Sequence, residues 1–198
     1  SSDLGLPLIA VGFMYGQGYF SQRISEDGWQ EALNNPLTFD HLPVTLVTKN
    51  NKPITIQIEF PDRNITAQIW EVRVGRVPLY LLDSNVEGNN DSDRLLTARL
   101  YWSDLDRRVM QEVLLGVGGV RALRALDYSP AVWHMNEGHS AFLALERIRQ
   151  RVEKQGLEFS SALQVVAAST VFTTHTPVPA GNEVFHIDMM RKYFSSFA

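Results

Sequence analysis

The sequence predicts an α/β fold, and three features carry the prediction. From Leu6 to Met14 runs a near-continuous apolar stretch between Gly5 and Gly16, the pattern of a strand covered on both faces, as in a parallel sheet. Two later apolar runs, one beginning at Ala131 and one at Val165, each end in polar residues that lead into a loop or a helical pattern. Between the first strand and these two lies a helical period that extends from Leu105 to Leu126.

Composition narrows the class. A chain of 198 residues holds one domain with a real core, or a domain with a sub-domain. A net charge of −4 and no Lys/Arg run argue against a nucleic-acid binder. With no cysteine, neither a disulfide framework nor a cysteine-ligated zinc site is available. No apolar run reaches the roughly 20 residues that a membrane helix needs, and no signal-peptide pattern is present. A cytoplasmic protein is the default expectation. The chain starts at Ser1 without Met and stops in the aromatic helical pattern of Tyr193 to Ala198, so it reads as a fragment of a longer protein.

Taken in order, Gly16 to Gln22 reads as a turn after the first strand. Ser25 to Leu33 has the polar start and the Trp29/Leu33 spacing of a short helix, terminated by Asn34-Asn-Pro36. From residue 42 to 82 the period becomes two. Ile54, Ile56, Ile58 and Phe60 alternate with Thr55, Gln57 and Glu59, flanked by turn signals at Asn50-Asn-Lys-Pro53 and Pro61-Asp-Arg-Asn64. Ile65, Ala67 and Ile69 keep one phase whereas Trp70, Val72 and Val74 take the other, which requires a bulge or a change of partner. The 42–82 block is expected to be a β-rich antiparallel insertion on the α/β domain; some 40 residues would make a small core for an independent module.

Ser84 to Asp93 is polar and reads as a mobile loop. Its acidic residues lack the spacing and the Gly and Glu positions of an EF-hand. Leu105, Val109, Val113 and Val117 then recur at intervals of four, with Ser103 as the expected N-cap. Gly116, Gly118 and Gly119 fall inside this helix, each costing about 1 kcal/mol relative to Ala, so close packing is expected there. Ala141, Leu145, Ile148 and Val152 form the apolar stripe of the next helix, ended near Gly156, with Arg147, Arg149, Arg151 and Lys154 expected on a solvated face. Phe159 to Gln164 reads as a short helix feeding the second strand, and Val184 to Phe197 as a final amphipathic helix.

In open α/β sheets ligands collect at the carboxyl ends of strands. Asn136, Glu137 and His139 follow one predicted strand, and Thr173, Thr174, His175 and Thr176 follow the other, with Pro177, Pro179 and Gly181 fixing an extended loop. If the strands are parallel neighbours, His139 and His175 share one sheet edge. Glu137 and His139 lie close enough for an acid/base pair. His134 and His139 are five apart, which does not stack two metal ligands on one helix face, so no metal site is expected. That each His only packs its own loop stays open on pattern alone.

The segments His134-Met-Asn-Glu-Gly-His-Ser-Ala-Phe142 and Phe172-Thr-Thr-His-Thr-Pro-Val-Pro-Ala-Gly181 resemble the bacterial and archaeal branch of the α-glucan (glycogen, starch, maltodextrin) phosphorylases. The blocks from Gly5 to Gln22 and from Gln111 to Leu123 resemble it too, and all four stand in the family's order. The resemblance implies part of the Rossmann-like N-terminal domain of a GT-B glycosyltransferase, residues 1–198, without the C-terminal domain. It implies phosphorolysis of α-1,4-glucan by inorganic phosphate to glucose 1-phosphate on pyridoxal phosphate, in a protein that is commonly a homodimer. The family's cofactor lysine and the glycine-rich loop just upstream of the first matching block have no counterpart in these residues, so the fragment alone is expected to be inactive. Carried over residue by residue, His175 matches the catalytic histidine, its carbonyl near the reacting carbon and its side chain toward the sugar's hydroxymethyl. Asn136, Glu137 and His139 match the substrate-binding wall of the same pocket. The family's cleft-gating loop is short here, at Tyr101 to Asp106. Two alternatives remain: a stand-alone carbohydrate-binding or regulatory module derived from this domain, and a nucleotide-binding α/β enzyme, which would need a glycine fingerprint that no strand here carries.

Overall fold

The fold is mixed α/β in a computed structural model that describes residues 3–17, 21–33, 39, 42–99, 102, 104–177 and 183–195. The first strand, β1 (Ala10–Phe13), is shorter than the apolar run predicts, and Leu6 and Leu8 ahead of it are exposed. The predicted helix over Ser25 to Leu33 is instead an antiparallel hairpin of β2 (Ser21–Ile24) and β3 (Gln30–Leu33). Turn chemistry overrides the apolar spacing there. Gly28 takes φ +83° and donates its N–H to the Ser25 carbonyl, and the Ser25 hydroxyl oxygen accepts from Trp29 N. Trp29 is 78% exposed, so its spacing from Leu33 marks no buried face. The residues 34–36 expected to end that helix lie outside the described residues.

The period-two block forms strands as its alternation predicts. β4 (Val44–Leu46) is followed by β5 (Thr48–Lys49) and β6 (Lys52–Pro53), joined through Asn50 and Asn51 at φ +55° and +61°, the left-handed pair of a tight hairpin turn. β7 (Thr55–Phe60), β8 (Arg63–Val74) and β9 (Val77–Asp83) make an antiparallel meander in which Ile56, Ile58 and Phe60 are buried and the residues between them exposed. The phase slip in β8 is a change of partner. Residues 63–68 pair with β7, whereas residues 70–72 pair with β4 on that same edge and residues 68–74 with β9 on the other. β1 joins this sheet by pairing parallel to β9, so the strand order is β1-β9-β8-β4 with β7 beside β8.

The polar stretch after β9, expected to be mobile, is tethered. It folds into a short helix, α1 (Asp91–Arg94), capped by Asn90. Asn89 Nδ2 donates to the Thr66 and Ser84 carbonyls, and Asn89 Oδ1 accepts from Thr66 N. Asp93 is buried and takes Arg63 Nε at 2.6 Å and Nη2 at 2.8 Å, a bidentate pairing.

Across the sheet lies the predicted long helix, α2 (Leu105–Ala125). Its N-cap is Asp104, whose carboxylate accepts from Asp106 N; the Ser103 expected in that role is outside the described residues. Val109, Val113, Val117 and Val120 are buried, each stabilising by about 1.5–3 kcal/mol relative to exposure. The glycines explain how α2 is gripped on two sides. A Cβ at Gly116 would lie 2.6 Å from Leu143 N, and one at Gly118 3.1 Å from Ile56 Cδ1. α2 therefore forms a central layer between the five-stranded sheet and the elements that follow.

Those elements are β10 (Trp133–Asn136), a 3-10 turn (Gly138–Ser140), α3 (Leu143–Gln155), α4 (Phe159–Ala168) and β11 (Thr170–Thr173). Residues 165–168, expected to open the second strand, are the last turn of α4. β10 and β11 are parallel neighbours in a separate two-stranded sheet, with Asn136 opposite Thr173. Parallel strands need a crossover, which α3 and α4 supply. The stripe expected on α3 is only partly right: Ile148 is buried, but Ala141, Leu145 and Val152 are exposed, and Glu146 and Arg147 face inward. Glu146, 0% exposed, takes Arg149 Nη2 at 2.8 Å, Arg121 Nε at 3.3 Å and Gln150 Nε2 at 2.8 Å. Burial alone would push its carboxyl up, but the bonds from Arg149, Gln150 and Arg121 outweigh it and hold the pKa below the usual value. The last helix, α5 (Ile187–Phe194), begins and ends inside the predicted span and is pinned to the start of α2 by Lys192 and Tyr193, each 2.6 Å from Asp106 Oδ1.

Candidate functional site

The parallel pairing of β10 and β11 places two loops side by side at the carboxyl ends of the strands. The ladder continues one residue past β10, where Glu137 N donates to the Thr173 carbonyl at 2.8 Å. Glu137 then takes φ +61° and ψ −161°, a conformation that side-chain-bearing residues rarely hold. The turn drives its carboxylate inward, leaving the residue 6% exposed.

That carboxylate meets the loop after β11. Glu137 Oε1 accepts from His175 N at 3.2 Å and from Thr176 N at 2.8 Å. His175 Nδ1 lies 3.5 Å from the same oxygen, and His175 Nε2 donates to Asn136 Oδ1 at 3.1 Å. The Thr176 hydroxyl, followed by the two amides and the neighbouring imidazole, holds the Glu137 carboxyl below the usual carboxylate range even though burial opposes it. The group is thus a fixed anion at neutral pH. Behind it, His134 Nε2 meets Thr173 Oγ1 at 2.6 Å, tying the strand ends together by side chain as well as backbone.

Asn136, Glu137 and His175 are therefore brought into one hydrogen-bonded cluster, with the imidazole ring mostly exposed and available to a ligand. His139 follows the same strand end. It lines a hollow of about 250 Å³ together with Glu112, Phe142, Glu183 and Phe185. Glu112, absent from the sequence expectations, comes from α2; burial pushes its carboxyl up to about 7, although Arg108 opposes the rise. Arg108 itself pairs with Glu183, one of the residues that line the hollow. The Arg108–Glu183 pair and the meeting of Glu112 with His139 had no local signal, since those residues are far apart in the chain and come together only when it folds. Pro177 is described, but residues 178–182 of the proline loop lie outside the described residues.

The arrangement suits a polar, uncharged ligand such as a sugar, whose hydroxyls need rigid donors and acceptors. A fixed carboxylate and carbonyls near a reacting centre also stabilise positive charge that develops there. The chain's lysines, Lys49, Lys52, Lys154 and Lys192, are all exposed, and Lys192 is paired with Asp106, so no lysine at this site fits the Schiff base of an aldehyde cofactor.

No protein-family model matches the chain. Among curated proteins it is 48% identical over 200 residues to a glycogen phosphorylase of Mycobacterium tuberculosis, covering 98% of this chain and 23% of that protein. It is 46% identical over 198 residues to a maltodextrin phosphorylase of Thermococcus litoralis, covering all of this chain and 24% of that protein. It is 40% identical over 195 residues to a glycogen phosphorylase of Aquifex aeolicus, covering 98% and 28% respectively. The chain is thus homologous over nearly its whole length to glycogen and maltodextrin phosphorylases, and spans about a quarter of the length of the curated relatives it matches.

Proposed function

We propose that the protein carrying this chain is an α-1,4-glucan phosphorylase, a glycosyltransferase that releases glucose 1-phosphate from glycogen or maltodextrin with inorganic phosphate. In this reading residues 1–198 belong to its Rossmann-like N-terminal domain, of GT-B architecture, with residues 42–82 as a β-rich insertion. Asn136, Glu137, His139 and His175 form the wall of the glucosyl pocket. Pyridoxal phosphate would be held by a lysine elsewhere in the protein and would supply acid–base chemistry beside the substrate phosphate. The protein works in the cytoplasm, where glucan and phosphate meet.

The observation that carries the reading is the clamp of Glu137 on the amides of His175 and Thr176. It fuses the two segments that resemble the phosphorylases into one site, and both segments lie within the stretches aligned with the glycogen and maltodextrin phosphorylases. In this site His175 and Asn136 hold sugar hydroxyls, while Glu137 keeps the His175 backbone fixed so that its carbonyl faces the anomeric carbon as positive charge builds.

The test is phosphorolysis by the full-length protein, with maltodextrins of graded length and phosphate, followed as glucose 1-phosphate. Release that requires phosphate and leaves a glucan one unit shorter supports the reading. Binding of maltodextrin with no phosphate-dependent product would assign the protein to carbohydrate-binding modules instead.

A further inference from the structure

We propose that a second cleft, at the amino ends of β10 and β11, binds a small phosphoryl dianion, either inorganic phosphate or a phosphomonoester. The cleft has a volume of about 310 Å³ and is lined by Arg124, Arg147, Arg151, Trp133, Ser129 and Gln150 among others. It lies at the opposite end of the strands from Glu137 and His175. A four-residue strand separates the two by roughly 10 Å of backbone, so this is not the glucosyl pocket.

The charges of this region are sorted. On α2 and α3, Arg121 is paired with Glu59 and Glu146, and Arg149 with Glu146 and Glu153. Arg124, Arg147 and Arg151 lie on the same two helices but pair with no carboxylate among the described residues. Arg147 is 6% exposed and reaches only neutral groups, Thr170 Oγ1 at 2.6 Å, Ser169 Oγ at 2.5 Å and the Val166 carbonyl at 3.5 Å. Arg124 donates to the Tyr128 carbonyl and Arg151 to Gln155 Oε1. Buried cations are ordinarily paired, because desolvation without a counter-charge is costly. Burial, with Arg151 and Arg124 nearby, brings the Arg147 guanidinium down to about 10.

The geometry also presets the binding groups. The indole of Trp133 packs under two guanidiniums, with the Arg147 Cζ 5.1 Å and the Arg124 Cζ 6.0 Å from its ring centroid. Stacking holds the planar forks in place, and a fork matches phosphate oxygens bidentately. Three positive charges in one concavity favour a dianion over a monocarboxylate. The volume admits a phosphate or a small phosphomonoester, and the net charge of −4 argues against a nucleic-acid backbone as the occupant.

The experiment is calorimetric titration of the full-length protein with inorganic phosphate and, separately, with ribose 5-phosphate. The comparison is with the Arg124→Gln/Arg151→Gln double variant and with His175→Ala. Arg147 is left intact because it also ties α3 to Ser169 and Thr170, and melting curves verify that the double variant is folded. The expected result is a binding event that weakens roughly tenfold or more in the double variant and is unchanged in His175→Ala. Because the proposed phosphorolysis gives the full-length protein a substrate phosphate site as well, only an event that weakens in the double variant is assigned to this cleft: weakening for phosphate alone would identify the inorganic ion, and weakening for both ligands would identify a phosphomonoester site. No saturable event below about 10 mM, or the same affinity in the double variant, would overturn the proposal. None of these results depends on phosphorolysis, so the glucosyl-pocket reading is judged separately.

Discussion

Glu137 and Thr176 are joined across two parallel strands by a 2.8 Å hydrogen bond from the Thr176 amide to the Glu137 carboxylate. The same oxygen takes the His175 amide, so one side chain fixes the backbone of a whole neighbouring loop. A strained turn at Glu137 and a bonded carboxylate belong together: the turn aims the acid and the two amides hold it.

This clamp should show in the pH dependence of stability. The Glu137 carboxyl has its folded-state pKa depressed, so its contribution is full above the unfolded value and is lost as pH falls through the folded one. Glu137→Gln should therefore melt below the parent at pH 7 and converge on it in acid. Melting curves of both proteins between pH 3 and 7 check this, and a constant gap would show that the charge of Glu137 contributes nothing.

His175 is expected to matter for turnover rather than for folding, because 58% of its side chain is accessible. In the full-length protein His175→Ala should lower both kcat and kcat/KM by roughly ten- to a hundredfold, the worth of one charge-directed hydrogen bond of about 1.5–3 kcal/mol. The melting temperature should change little. The backbone carbonyl and the Glu137 clamp survive the substitution, which is why complete inactivation is not expected. Normal turnover at saturating glucan and phosphate would remove the His175 side chain from the chemistry.

The glycines of α2 give opposite expectations only three residues apart. Ala at Gly116 would set a Cβ 2.6 Å from Leu143 N and 2.9 Å from the Phe142 carbonyl carbon, both backbone atoms that cannot yield without moving α3. Overpacking of this kind costs about 1–3 kcal/mol and outweighs the gain of about 1 kcal/mol in helix propensity. Ala at Gly119 would meet only Val11 Cγ1 at 3.5 Å, an ordinary contact, so that substitution should be neutral or stabilise by up to about 1 kcal/mol. Urea unfolding of the two variants measures the difference directly.

What could be read from the residues follows from where their partners lie. The four-residue recurrence of Val109, Val113 and Val117 and the alternation of Ile56, Ile58 and Phe60 are local, and α2 and β7 appear as predicted. The repeated pattern of apolar run and polar end likewise located β10 and β11 and their shared edge. α3 resisted because hydropathy assigns Glu146 and Arg147 to solvent, whereas each is buried by partners from α2, α4 or β11. The hairpin of β2 and β3 was missed because Ser25 and Gly28 specify a turn that an apolar spacing argument does not weigh. In the site, the sequence marked Asn136, Glu137 and His175, but Glu112 joins His139 only through the packing of α2 on the turn after β10.

Glu112 supplies the remaining expectation. Its carboxyl rises from an ordinary 4.5 to about 7, because burial beside His139 and Phe142 disfavours the charged form more than Arg108 favours it. Between those two values the folded state holds a proton that the unfolded state has lost, so this group makes stability fall as pH rises through that window. Glu112→Gln abolishes the titration while keeping the shape. Relative to the parent, the variant should thus gain stability from pH 4.5 to 7 by on the order of 2 kcal/mol and no further above it. Denaturant unfolding of both proteins at pH 4.5, 6 and 8 measures the gain. A gap that does not change with pH would mean that Arg108 leaves Glu183 and neutralises Glu112, and the hollow around His139 would then hold a carboxylate rather than an acid at neutral pH.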